Sequence, residues 1–208
     1  MLRARSVLAL LVLASAAPLA AQAPTRAAAP PAPPFMIETL GWLDGGLLPL
    51  MNSQAAYELE YKGGVSPKLG FVNPPAGTKS FVLHMHDMEV ARNKTTEDQL
   101  HWLVWNIPGD AKELPFNVPA GATLPDGAYQ INGRGENKYL GAGAPATGAP
   151  HHYMFELIAL DIPKIAVEPG TDGFETRKKV LAAVQGHVLG KALVVGMFKR
   201  PPAAPPTS

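Results

Sequence analysis

Clusters of proline and glycine interrupt this chain at short intervals between residues 63 and 170: GGVSP, VNPPAGT, NIPGD, LPDGA, NGRGENKYLGAGAPATGAP and EPG. Proline removes a backbone donor and fixes φ, while glycine admits turn conformations, so each cluster breaks any regular element that reaches it. The intervals left over suit short strands, and a mainly β fold is expected. Three segments stand out as strands: KSFVLHMHDM, HWLVWNI and HYMFELIALD. The last two are apolar on both faces, as central strands covered on both sides are. One helix is expected near the end, in TRKKVLAAVQGHVLGK. Thr176 would be its N-cap, Val180, Leu181, Val184, Val188 and Leu189 fall at helical spacing, and Gly190 would end it before a short last strand, ALVVGMF.

The two ends read differently. Arg3 and Arg5 precede an apolar run from Val7 to about Ala17, and the small-residue pattern Ala21-Gln22-Ala23 follows. This is the pattern of a secretory signal peptide over residues 1–23. The run is shorter than the roughly 20 apolar residues that a membrane-crossing helix needs. No integral membrane segment is therefore expected after cleavage, and the protein is expected to be periplasmic or secreted. Residues 24–34 and 201–208 are Pro/Ala-rich without a periodic apolar face and are expected to be disordered. Residues 35–200 are left as the folded domain. The chain has no cysteine, so in an oxidising compartment its stability must come from its core alone.

Taking Arg3 and Arg5 from the 18 Lys and Arg leaves 16 against 17 Asp and Glu, a net charge of −1. No broad basic surface for nucleic acid is implied, and any anion site must be local.

The segment FVLHMHDM concentrates the reactive side chains. As a strand it alternates, with Phe81, Leu83, Met85 and Asp87 on one face and Val82, His84, His86 and Met88 on the other. His84 and His86, with Met88 as a soft third donor, are a candidate copper site for an exported protein. The pair lacks an evident further ligand set, and the expectation is a half-exposed strand face with no metal. Asp87, taken alone, reads as a carboxylate surfacing at a strand end.

His101 opens another strand, while His151 and Tyr153 share a face at i and i+2 just after the Gly-rich loop YLGAGAP. Together with Asp87, these groups offer imidazole N–H, phenol O–H and glycine N–H donors around a cavity, plus a carboxylate to fix a histidine tautomer. That combination suits a phosphate or carboxylate ligand. A hydrolase with His101 or His151 as a base oriented by Asp87 is the enzymatic alternative. It lacks an evident nucleophile, since Ser66 and Ser80 do not sit in a nucleophile-elbow motif. No cofactor motif is present.

Four blocks, in order, resemble the phosphatidylethanolamine-binding protein family in its bacterial, Raf kinase inhibitor-like branch. They are GGVSPKLGFVNPPAGTKSFVLHMHDMEVA, LHWLVWNIPGD, YLGAGAPATGAPHHYMFELIALD and TRKKVLAAVQGHVLGKALVVGMFKR, spanning residues 63–200. The resemblance implies a large antiparallel sheet packed with a smaller one and a C-terminal helix near a pocket. It also implies a non-enzymatic binding protein for a small anion, a phosphate monoester or phospholipid head group. The implied pocket residues are Asp87, His101, Gly141, Gly143, His151 and Tyr153. Modulation of a protein partner, such as inhibition of a protease through the surface, is a further role associated with the family. The chain departs from the family pattern at its rim: Met88, Glu89 and Ala91 stand in the Asp-Pro-Asp-Ala-Pro segment, Ala144 precedes Pro145, and His152 replaces an arginine. Losing φ-fixing prolines is expected to loosen that rim.

Overall fold

Alternating apolar residues and their punctuation give nine strands and one α-helix in the computed structural model, which describes residues 32–56 and 62–202. The proposed signal peptide, most of the N-terminal Pro/Ala segment and residues 203–208 lie outside the described residues. In chain order the elements are β1 (Met36–Thr39), β2 (Gly46–Leu47), β3 (Leu69–Val72), β4 (Ser80–Asp87), β5 (Gln99–Pro108), β6 (Glu113–Leu114), β7 (Tyr129–Ile131), β8 (His151–Leu160), α1 (Gly173–Ala183) and β9 (Val188–Phe198). A six-stranded sheet has the order β2-β9-β8-β4-β5-β7, and a three-stranded sheet the order β1-β3-β6. All pairings between these strands are antiparallel except β2 with β9, which is parallel.

The three segments expected as strands became β4, β5 and β8, adjacent at the centre of the large sheet. Every residue of β4 is buried, and its two faces feed two cores. Phe81, Leu83 and Met85 join Ile37, Leu69 and Phe71 between the sheets. Val82 joins Leu103, Trp105, Phe174 and Val180 under α1. His84 and His86 share that second face and are buried, at 5% and 8% exposure, rather than half-exposed as the sequence suggested. The reason is α1, whose Arg177 and Leu181 close over His84 beside Asp98.

The helix is displaced from its expected position. Asp172, not Thr176, is the N-cap, and its carboxylate accepts the backbone N–H groups of Phe174 and Glu175. Thr176 lies inside the helix, with its hydroxyl donating to the Asp172 carbonyl at 2.8 Å. The helix stops at Ala183, and the chain turns through Gly186 at φ 82°. Val188 and Leu189 therefore begin β9, which runs 11 residues instead of the seven of ALVVGMF. No helix among the described residues is long and apolar enough to cross a membrane.

Candidate functional site

The site begins with strand register. Asp87 pairs directly with Tyr153 across β4 and β8, and His151 lies two residues before Tyr153, so all three point from one face at the same end of the sheet. His101 would miss this face under strict alternation, because Leu103 and Trp105 of the same strand feed the core beneath α1. A bulge corrects it. Met85 pairs with Trp102 and His86 with Leu100, leaving His101 unpaired between them. The extra residue brings the His101 ring edge-on to Tyr153, with centroids 5.0 Å apart.

Hydrogen bonds then fix each group. His151 donates its Nδ1–H to both oxygens of Asp87, at 2.8 and 3.1 Å, and the Glu89 N–H donates to the same carboxylate at 3.1 Å. His101 donates its Nδ1–H to the carbonyls of Leu140 and Gly141, each at 3.1 Å. Burial lowers the His101 pKa against the pull of those carbonyls and of Asp87, favouring the neutral ring. The Tyr153 hydroxyl accepts the N–H groups of Gly143 and Ala144, at 3.0 and 2.9 Å. Burial and the neighbouring Asp87 carboxylate push its pKa up, so it remains a phenol.

The glycine loop thus has a different part from the one its composition implied. The Gly143 N–H that was expected to face an anion is engaged by Tyr153. Gly141 does not line the cavity; its carbonyl accepts from His101 and from Gln54 Nε2, the latter at 2.9 Å. Both positions are packed against residues 53 and 54. A Cβ on Gly141 would come within 2.7 Å of the Ser53 backbone, and one on Gly143 within 2.3 Å of the Gln54 amide.

These walls enclose a cavity of about 590 Å³, bordered by Asp87, His101, Gly143, His151 and Tyr153 and also by Gln54, Gln99, Phe174 and three arginines, Arg92, Arg134 and Arg200. Its volume falls in the range of small-molecule sites, roughly 300–1,000 Å³. Among the described residues Asp87 is its one carboxylate. Residues 41–199 match the sequence profile of the phosphatidylethanolamine-binding proteins. The chain belongs to that family.

Among its relatives, a UPF0098 protein of Methanothermobacter thermautotrophicus is 37% identical over 137 residues, which is 65% of this chain and 83% of the relative. The UPF0098 protein YbhB of Escherichia coli is 36% identical over 158 residues, 74% and 94% of the two chains. The crystal structure of E. coli YbcL, described as a member of the mammalian family, superposes with a TM-score of 0.65 at 26% identity, covering 79% of this chain and 98% of that one. The homologue CT736 from Chlamydia trachomatis gives 0.63, also at 26% identity, over 80% and 97%. The two-sheet architecture with one helix is that of the phosphatidylethanolamine-binding protein family.

Within this family frame, the arginines are the residues that the sequence reading passed over. Arg200 had a readable signal, since it continues the alternation Val194, Gly196, Phe198 beyond the end of β9 and so emerges on the face of His151 and Tyr153. Arg134 and Gln54 had none: they lie outside the named strands and meet through a hydrogen bond from Arg134 Nη2 to Gln54 Oε1 at 3.0 Å. Arg92 follows the altered DMEVA rim, stacks 3.5 Å above the centroid of Phe174, and pairs with Glu97 at 2.7 Å.

Among the described residues, two groups have metal-ligand chemistry. Asp87, Glu89 and His151 each offer an atom within 4.8 Å of one another, but each is already hydrogen-bonded. The Glu89 oxygens take the His152 backbone N–H at 2.7 Å and the His152 Nδ1–H at 2.5 Å. His84 and His86 lie on the opposite face of β4 with their rings parallel within 3° and 4.2 Å apart. A ring nitrogen binds metal in its own plane, so parallel rings must turn before they can share an ion. His86 instead bonds Asp98, and Met88 is half-exposed beyond the strand.

Proposed function

We propose that this chain is an exported, non-enzymatic binding protein whose pocket takes a small anion, a phosphate monoester or phospholipid head group. The observation that carries the reading is the charge arrangement of the cavity: three guanidinium groups border it, while the one carboxylate among its described lining residues is engaged by His151 and the Glu89 amide. Charge-assisted hydrogen bonds from arginine to phosphate are the strong ones, and they gain strength where water is partly excluded. Export is supported by the basic, apolar and small-residue pattern of residues 1–23.

The chemistry of the walls favours binding over turnover. Among the described residues no Ser, Thr or Cys borders the cavity, and the Tyr153 hydroxyl is held by two backbone amides with its proton retained. His101 and His151 both have Nδ1 anchored, which leaves Nε2 as the ring atom available to a ligand. A neutral ring offers a lone pair there, so an anion is accepted together with a proton, carried either by the ligand or by the ring. The test is titration with inorganic phosphate while following the imidazole resonances by NMR. Joint movement of His101 and His151 with His84 and His86 unmoved is the expected result. Movement of none of the four would sink the anion reading.

A further inference from the structure

The cavity is asymmetric in a way that discriminates among phosphate esters. Its anionic side is closed. Both Asp87 oxygens accept from His151, and one also accepts from the Glu89 N–H. The neighbouring Glu89 does not border the cavity, and both its oxygens are bonded to His152. Among the described residues, a ligand ammonium group entering here finds no free carboxylate.

The cationic side is open. Arg200 borders the cavity with no side-chain hydrogen bond or ion pair among the described residues, and its Nε is buried without a partner. Its backbone N–H donates to the Ala144 carbonyl at 3.3 Å, which places the arginine beside the loop held by Tyr153. Arg134 has no carboxylate within ion-pair distance among the described residues. It rests on the neutral amide of Gln54, while nearby Glu136 pairs with Lys138 at 3.2 Å. Arg92 is already neutralised by Glu97. Neither guanidinium group, of Arg134 or of Arg200, therefore has a close ion-pair partner among the described residues, and the space they border is much larger than one phosphate group.

We propose that this pocket selects phosphate monoesters that carry a second anionic group, held by Arg134 and Arg200, over esters that carry an ammonium group. The inference rests on the anion-binding reading above and narrows it to a ligand class. The phosphate is received at the His101, His151 and Tyr153 end, where the strands converge. The second anion lies toward the two arginines, where guanidinium offers paired donors to a carboxylate or phosphate. An ammonium in the same place meets like charge and desolvation, with only neutral amide oxygens of Gln54 and Gln99 rather than a free carboxylate to offset them.

A matched series tests this. Inorganic phosphate, glycerol 3-phosphate, 3-phosphoglycerate and phosphoethanolamine are titrated by calorimetry into the purified protein at one fixed, low ionic strength, since screening weakens exposed pairs. 3-Phosphoglycerate should bind about ten- to a hundredfold more tightly than glycerol 3-phosphate, the equivalent of one charge-assisted hydrogen bond. Phosphoethanolamine should bind more weakly than either. Arg134→Gln and Arg200→Gln should each draw the ratio of the first two affinities toward one, whereas Arg134→Lys and Arg200→Lys should keep part of it. Equal affinities across the series, or a preference for phosphoethanolamine, would overturn this inference while leaving the anion pocket in place. Absence of binding by inorganic phosphate and by all three esters would overturn both. If a Gln variant fails to fold, the wild-type ranking still decides the matter.

Discussion

His151 straddles the Asp87 carboxylate, its Nδ1 lying 2.8 Å from one oxygen and 3.1 Å from the other. The pair forms because β4 and β8 set Tyr153 opposite Asp87, which carries His151 to the end of the same face. The carboxylate holds the ring in one tautomer and leaves Nε2 for a ligand. Asp87→Asn preserves the shape but replaces one acceptor oxygen with an amide NH2, so the ring loses that fixed orientation. Phosphate affinity should fall about tenfold or more. Calorimetric titration of the variant beside the wild type measures the loss. An affinity that is unchanged or higher in the variant would show that the Asp87 carboxylate does not position His151 for the ligand.

Tyr153 tests the loop. Its hydroxyl is the acceptor for two backbone amides, Gly143 and Ala144, so Tyr153→Phe keeps the ring in the core while stranding two N–H groups. Leaving a buried donor unpaired costs about 1–3 kcal/mol. At about 2–4 °C per kcal/mol for a chain of this size, the melting temperature should drop by several degrees. Differential scanning calorimetry of the variant reads this directly; an unchanged melting temperature means that water replaces the phenol at the loop.

Two buried histidines set the acid side of the stability curve. Burial lowers the pKa of both His84 and His101 below the ordinary 6.5. In the unfolded chain these rings take up protons as the pH falls through about 6.5, but in the folded chain they do not. The unfolded state then binds more protons, so stability declines from about pH 6.5 downward, through the lowered folded values. A second decline belongs to carboxylates. Asp98 is held down to about 2 by His86 and Arg177, which overcome the opposing effect of burial. Glu156 is held down to about 2 by His84 and by Lys191, again against burial. Their contribution is present above the ordinary carboxylate range, about pH 4, and is lost as the pH falls through about 2. Urea denaturation at a series of pH values should show both steps, and a flat profile between pH 7.5 and 5 would contradict the first.

The two loop glycines should respond unequally to alanine. At Gly141 the new methyl meets the Ser53 and Gln54 backbone within 2.7 and 2.9 Å, which cannot move without dislodging the segment that supports the loop. A cost of about 1–3 kcal/mol is expected. At Gly143 the obstacle is the Gln54 side chain, which can turn away. Stability should change by less than about 1 kcal/mol, but Gln54 would leave both the Gly141 carbonyl and Arg134. Urea melts and a phosphate titration on the two variants separate these outcomes; reversal of the order would mean that the Ser53 backbone is the more compliant neighbour.

Much of the scaffold was legible in the chain because strand period and Pro/Gly punctuation are local signals. They located β4, β5 and β8 and sorted the residues of β4 correctly between the two cores. The helix limits were less legible. Val188 and Leu189 continue a 3.6-residue spacing by chance, whereas the turn at Gly186 and the Asp172 cap decide where the helix lies. At the site, the family's residues were identifiable, but three features depend on long-range partners. The burial of His84 and His86 needs α1 to lie over them, and the engagement of the Gly143 amide needs Tyr153. The assembly of Arg134 with Gln54 joins residues 80 positions apart.

The unpaired His101 gives the site an unusual genetic vulnerability. A substitution scan along β5 would register this residue as the strand's single histidine, yet its orientation is set by how many residues lie between Leu100 and Trp102, not by which residues they are. Deleting a neighbouring residue while keeping the histidine would remove this bulge, leaving the second register shift near Phe81, and turn the ring toward the helical layer. The fold would survive with every conserved-looking letter of the motif intact and the cavity missing one wall. Chain length within this strand is thus itself an inherited determinant of the pocket, one that insertion and deletion variants explore and point substitutions do not.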